Sequence, residues 1–113
     1  MAVESQPAGV VRVARPVLST IVINTALQIP GVVRMAQSSG DQWSRMLNRE
    51  LPVAGVALII KGTTVAADLY IVVEAGVNVV EVGTAVQEEV AAAIEKIVGM
   101  QVREVNVYIQ DVA

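Results

Sequence analysis

The chain has 113 residues, of which 54% are hydrophobic, a formal net charge of −3, and neither cysteine nor histidine. These absences exclude disulfides, thiolate chemistry, and the residue that most often serves as general base and transition-metal ligand. The longest apolar run, residues 53–60, is shorter than the roughly 18 residues that span a bilayer, and the N-terminus has no signal-peptide pattern. We therefore expect a cytoplasmic protein with a flexible tail over residues 1–8 and a single domain over residues 9–113.

The first half of the domain is predicted to begin as strand, helix and strand. Residues 9–14 have the composition of a short strand, and Pro16 favours the first turn of a helix because its fixed φ suits that position. A Pro-Gly pair then ends the helix before a second strand over residues 32–36. Ile23 and Leu27 widen the apolar surface of the helix sideways, either as core or as a subunit contact. The main stripe of the helix consists of Leu18, Ile21, Val22, Thr25, Ala26 and Ile29.

The linker over residues 37–52 contains the only tryptophan of the chain. A possible capping pair at its start predicts a short amphipathic helix that carries Trp43, with Arg45 and Arg49 beside its apolar edge. Two interpretations stay open. The helix is either a lid that buries Trp43 over the core, or a docking element for a partner or for lipid headgroups.

The second half of the domain begins with two strands joined by a tight hairpin, over residues 53–61 and 65–74. Their β-branched residues alternate as a half-buried strand requires. A turn at Gly76 follows. Asn78 then stands three residues before Glu81, which is a pattern typical of a helix N-terminus.

A long amphipathic helix and a last strand complete the predicted domain. The helix ends at Gly99, and the last strand covers residues 102–112. The order β-α-β-β-β-α-β, with the linker helix inserted, predicts a two-layer α+β fold in which both main helices pack on one face of a mixed sheet. The apolar stripe of the long helix consists of Val82, Val86, Val90, Ala93, Ile94 and Ile97.

The sheet face without helices is the main candidate surface. If the central and last strands are neighbours, two tyrosines lie among acidic and amide side chains on that face. Tyrosine favours a protein–protein surface because it offers a large contact area with a polar tip. An ordinary solvated face of the sheet is the alternative. The predicted outward set is Asp68, Tyr70, Glu74, Glu104, Asn106, Tyr108 and Gln110.

Catalysis and nucleic-acid binding are not expected. The only lysines, Lys61 and Lys96, lie in no nucleophile motif, and Asp68 and Glu74 would be about 20 Å apart along one strand. No phosphate-binding loop occurs. The isoelectric point near 4.8 and an acidic open face argue against nucleic acid as a partner. We expect no catalytic, cofactor-binding or metal-binding residues.

The order and spacing of one set of residues resemble a known family. The residues are Asp68-Leu69-Tyr70, Gly76, Gln87, Val90, Ile94, Gly99 and Val105-Asn106-Val107, with Gly9-Val10 and Pro30-Gly31-Val32 upstream. Together they are similar to the alkaline shock protein family, small envelope-stress-response proteins of Gram-positive and related bacteria. The resemblance covers most of residues 9–112 and is weak over 37–54.

We expect a non-enzymatic, self-associating scaffold, because the high aliphatic content and the uneven charge indicate self-association. The resemblance implies that this scaffold is linked to the envelope stress response or envelope homeostasis. The implied partners are the protein itself and a membrane-associated protein, so any membrane contact is peripheral. A regulatory subunit for an enzyme of fatty-acid or lipid metabolism is the alternative that the family implies. Independently, the charge is uneven, with +2 over residues 1–54 and −5 over residues 55–113. Such asymmetry can orient a small protein at an anionic surface or make it associate head to tail, and an ordinary solvated surface is the alternative.

Overall fold

The structure is a computed structural model that describes residues 13–36 and 55–113, and within them it has two helices and four strands. Most of the predicted first strand and all of the predicted linker helix lie outside these residues. The elements in chain order are α1 (Arg15–Leu27), β1 (Val32–Met35), β2 (Val56–Lys61), β3 (Thr64–Val73), α2 (Val79–Ala93), a π-helical turn that continues α2 (Ile94–Val98), and β4 (Gln101–Val112).

Strand β3 is the centre of a mixed sheet. It pairs in parallel with β4 along its whole length, so β1 and β2, which are both antiparallel to β3, must share its other edge. On that edge β2 lies beside residues 64–69 and β1 beside residues 71–73. The predicted mixed sheet is confirmed, and its strand order positions β3 and β4 as the neighbours that the candidate surface requires.

Both helices pack on one face of this sheet. Side chains of α1 and α2 interlock with alternate residues of the strands, and the resulting core is built mainly of aliphatic side chains, as expected from burying apolar area without aromatic residues. The two-layer α+β architecture is therefore confirmed. The fully or nearly fully buried members of the core are Leu18, Val22, Ala26, Val56, Val65, Ala67, Leu69, Ile71, Val73, Val82, Val86, Val90 and Ile94.

The end of the long helix departs from the predicted stripe. Ile97 was expected to face the core, but it is 67% exposed. The reason is the π-turn, in which the Gly99 N–H donates to the Ile94 carbonyl five residues earlier, at 3.0 Å. Because the π-turn is wider than an α-helical turn, residues that are four positions apart both face the sheet. Val98, four residues after Ile94, consequently packs against the core instead.

The two residues that widen the apolar surface of α1 differ in their burial. Ile23 packs against the core, whereas Leu27 is 43% exposed in this single chain. Ser19 is buried although the apolar stripe did not include it. At the start of the helix, Arg15 reaches across to the sheet, where its Nη1 donates to the Leu58 carbonyl of β2 at 2.7 Å.

Candidate interaction surface

The sheet face opposite the helices brings four of the predicted site residues together. The parallel register sets Asp68 beside Asn106 and Tyr70 beside Tyr108. The alternation of side chains along β3 and β4 directs all four to the open face, because their neighbours in sequence point into the core.

The two tyrosines form the apolar part of this surface. Their ring centroids are 4.9 Å apart and their planes differ by 15°, so the rings are stacked. Stacked aromatic pairs at this distance contribute about 0.5–1.5 kcal/mol beyond the area they bury. Tyr108 nevertheless leaves 43% of its surface exposed, so the stack presents a flat aromatic area to the exterior.

An amide bridge between two acidic side chains forms the polar part. Asn106 Nδ2 donates to Asp68 Oδ1 at 2.9 Å and to Glu104 Oε2 at 3.2 Å. Because an amide NH₂ carries two donors, one asparagine can serve both carboxylates and fix its own orientation. Two negative charges are thereby held next to the aromatic stack.

The local environment keeps the Tyr70 phenol protonated. Burial raises the pKa of Tyr70 above its ordinary value of 10.0, and the neighbouring charge of Asp68 and then Tyr108 raise the pKa further. Both the lower dielectric and the nearby negative charge disfavour the phenolate. Near neutral pH, Tyr70 is consequently a hydrogen-bond donor as well as an aromatic surface.

Tyr70 is also the point at which the opposite strand is interrupted. The Ala36 N–H donates to the Tyr70 carbonyl at 2.7 Å, and the Tyr70 N–H donates to the Gly55 carbonyl at 2.8 Å. In an unbroken antiparallel strand one residue would make both bonds. Strands β1 and β2 are therefore two halves of one strand, and the chain leaves and re-enters the sheet at a single position.

Gly55 makes this arrangement possible. Its φ is +84°, and a Cβ built on it would lie 2.8 Å from the Tyr70 carbonyl oxygen and 2.9 Å from that of Ala36. Only glycine tolerates both the dihedral and the close backbone approach. In the sequence, a glycine inside an otherwise apolar run was the one available signal of this interruption. The remaining predicted site residues, Trp43, Arg45 and Arg49, belong to the intervening segment and lie outside the described residues.

Fold and surface together define a small two-layer α+β domain with an aromatic and acidic sheet face that neither described helix covers. The chain belongs to the alkaline shock protein family, which is described by a cell envelope-related function, and the family match covers residues 3–113. The membership that the sequence predicted is thereby confirmed. Within the described part of the chain, no helix is long and apolar enough to cross a membrane.

The chain is also similar to individual relatives and, in its fold, to solved structures. The chain is 32% identical to the protein Spy1614 of Streptococcus pyogenes serotype M6 and 28% identical to YloU of Bacillus subtilis, each over 106 residues that cover 92% of this chain and 88% of the relative. Among solved structures, MamM-CTD H264A superimposes with a TM-score of 0.61 at 17% identity, covering 87% of this chain and 98% of that one. At this identity the likeness shows the fold alone.

Proposed function

We propose that this chain is a non-enzymatic, self-associating interaction domain that serves envelope homeostasis or the envelope stress response, and that the open sheet face is its contact surface. The observation that carries this proposal is the stacked Tyr70–Tyr108 pair, held beside the carboxylates of Asp68 and Glu104 on a face that neither helix covers. The family's envelope-related description supports the cellular setting.

The chemistry of the surface suits a protein contact. Tyrosine is enriched in protein interfaces because its ring buries much area with little loss of side-chain freedom. The carboxylates make direct contact between two such faces unfavourable, since like charges would meet. We therefore expect a head-to-tail contact, in which the open face of one copy meets the more basic first half of another.

The same groups are poorly suited to catalysis. Burial and the neighbouring negative charge raise the pKa of Tyr70, so near neutral pH the phenol stays protonated and cannot accept a proton as a general base. Asp68 and Glu104 both accept hydrogen bonds from the single Asn106 amide rather than facing a common cleft. These features support a binding role over an enzymatic one.

Sedimentation velocity across the micromolar range tests the proposal. Tyr108→Ala should shift the wild-type assembly towards monomer, whereas Leu27→Ala should leave it unchanged. Leu27 is a matched control because both side chains are 43% exposed and Leu27 lies on the helix layer. A wild-type protein that is monomeric throughout would remove the proposal. Dissociation by the Leu27 variant alone would move the contact to α1.

The regulatory role in fatty-acid or lipid metabolism stays a prediction from the family resemblance, and so does peripheral membrane contact through a partner. An enzyme of lipid metabolism that changes its activity on addition of this protein would favour that role over a scaffold. No described residue distinguishes the two roles.

A further inference from the structure

The outer edge of β4 has no strand beside it in the described part of the chain. Tyr70 directs its backbone N–H and C=O to the β1–β2 edge, so the backbone groups of Leu69 and Ile71 face β4. Their register partners are Val107 and Ile109. In a parallel ladder a residue bonds to the two neighbours of its partner, so the N–H and C=O groups of Val107 and Ile109 point away from β3.

A side-chain contact agrees with this orientation. Gln87 on α2 donates its Nε2–H to the carbonyl of Val105 at 3.0 Å. Val105 lies two residues before Val107 on the same strand, so its carbonyl has the same outward orientation. The Gln87 side chain of α2 therefore reaches the outer edge of β4 and satisfies one outward carbonyl there. The backbone groups of Val107 and Ile109 remain as donors and acceptors for an incoming strand.

A shallow apolar groove of about 250 Å³ accompanies this edge, between α2 and β4. Val80 on its helical wall is 73% exposed, which is unusual for a branched aliphatic side chain. Gly83 supplies much of the free space, because a Cβ at that position would only just reach Val107 Cγ1, at 4.0 Å. The groove is also lined by Val79, Thr84 and Ile109.

The alternation of a strand sets the chemistry of an occupant. Every second side chain of a strand added to β4 would enter the apolar groove, and the others would lie on the open face. There the exposed side chains of β4 include Glu104, Tyr108 and Asp111. Acidic and aromatic neighbours across the strand favour lysine or arginine, through ion pairing and cation–π contact.

We propose that the outer edge of β4 binds an extended segment of a partner polypeptide in which apolar and basic residues alternate, and that the segment adds to the sheet as a further strand. Main-chain hydrogen bonds to Val107 and Ile109 hold the segment, and the groove beside α2 selects its apolar side chains. This second binding site adjoins the self-association surface, because the basic side chains of the segment would lie beside Glu104 and Tyr108 on the open face.

A second copy of β4 fits this edge poorly. Neighbouring strands lie about 4.8 Å apart, whereas a helix with its side chains is about 10 Å wide. Antiparallel pairing of two β4 strands would set both α2 helices on the same face, and the Gln87 side chain of each already occupies the outer edge of its own strand. A peptide without a flanking helix meets no such conflict.

The probe is a short capped peptide of alternating valine and lysine, fluorescently labelled and titrated with the full chain in an anisotropy assay. We expect Gly83→Leu to weaken binding about tenfold or more, because the leucine fills the groove. Gly83→Ala is the matched control, since it adds only a methyl group at ordinary contact distance and should retain the affinity. Thermal melts verify that both variants are folded.

Two further peptides test the hydrogen bonds. Methylating the backbone nitrogens of all valines or of all lysines blocks alternate edges of the peptide, so one of these peptides should bind and the other should not. Equal affinity of both, retention of binding in Gly83→Leu, equal binding of a valine–glutamate peptide, or no binding of the valine–lysine probe would each overturn the proposal. A Gly83→Leu variant that loses self-association instead would identify the edge as a contact between copies.

Discussion

The two faces of the sheet are made by the same strands and differ in almost every physical property. The helix face is aliphatic, and its central members Leu69 and Ile71 are fully buried. The open face alternates with it residue by residue. It presents aromatic, amide and carboxylate groups such as Asn106 and Tyr108, which are partly exposed, beside two small buried patches at Ala66 and Val72. Burial of the first face supplies the stability of the domain, which leaves the chemistry of the second face free to serve binding.

The largest effect on stability is expected from a charged side chain placed on the helix face of the sheet. Ile94→Asp should unfold the domain, because an unpaired carboxylate would replace a fully buried side chain where α2 meets the sheet. Glu89→Ala, on the exposed side of the same helix, should change the free energy of unfolding by less than about 0.5 kcal/mol. Circular dichroism melts measure both. A reversed ranking would show that the helix faces the other way.

The next largest effect is expected where the strand is interrupted. Gly55→Ala should lower the free energy of unfolding by about 3 kcal/mol, through the positive φ and the backbone overlap together. Gly76→Ala is the control, because its φ is +90° but nothing lies within 4 Å of an added Cβ. The Gly76 variant should lose only the free energy of unfolding that the positive φ costs, about 1–2 kcal/mol. Equal losses in urea titrations would mean that Ala36 and Tyr70 can move apart.

On the open face a smaller effect is expected. Asn106→Ala should lower the free energy of unfolding by about 1 kcal/mol, since Asp68 and Glu104 lose the donor they share. Gln110→Ala, at an exposed position of the same strand, should stay within about 0.5 kcal/mol of wild type. Chemical denaturation resolves the difference. A loss as large as that of the Gly55 variant would assign the open face a structural role.

The smallest effect is confined to alkaline pH. Because the pKa of Tyr70 is raised in the folded state, the fold favours the protonated phenol. Its contribution is present below about pH 10 and is lost as the pH rises from there through the folded-state pKa. The melting temperature of the wild type should therefore fall more steeply above pH 10 than that of Tyr70→Phe. Parallel curves for the two proteins would contradict this assignment.

Local features of the fold were predictable from sequence. Asn78 accepts a hydrogen bond from the Glu81 N–H at 3.0 Å, as the spacing of the two residues predicted. Gly99 ends the long helix with a φ of +79°. Both depend on residues within a few positions of each other, where propensity and capping rules apply. Ile97 was mispredicted because a stripe with 3.6 residues per turn does not anticipate a π-turn.

The candidate surface was predictable only in part. Alternation along two strands was enough to assign Tyr70 and Tyr108 to one face, provided that the strands are neighbours. It could not show that β1 and β2 join end to end, because two short strands have the same pattern whether they lie side by side or in line. The outer edge of β4, which has no neighbouring strand among residues 13–36 and 55–113, was missed for the same reason. Which edge stays unpaired is decided by long-range pairing, which leaves no local pattern.

Because β1 and β2 are one strand split at a single position, the architecture of the sheet does not depend on the length of the segment that connects them. The Ala36 and Gly55 ends are both hydrogen-bonded to Tyr70, so the sheet itself holds them side by side. Closing a flexible connection of twice the length adds only about 0.6 kcal/mol of entropy, so insertions and deletions here are inexpensive. This position therefore tolerates the exchange of one connecting segment for another, by evolution or by design, without a change to the rest of the domain.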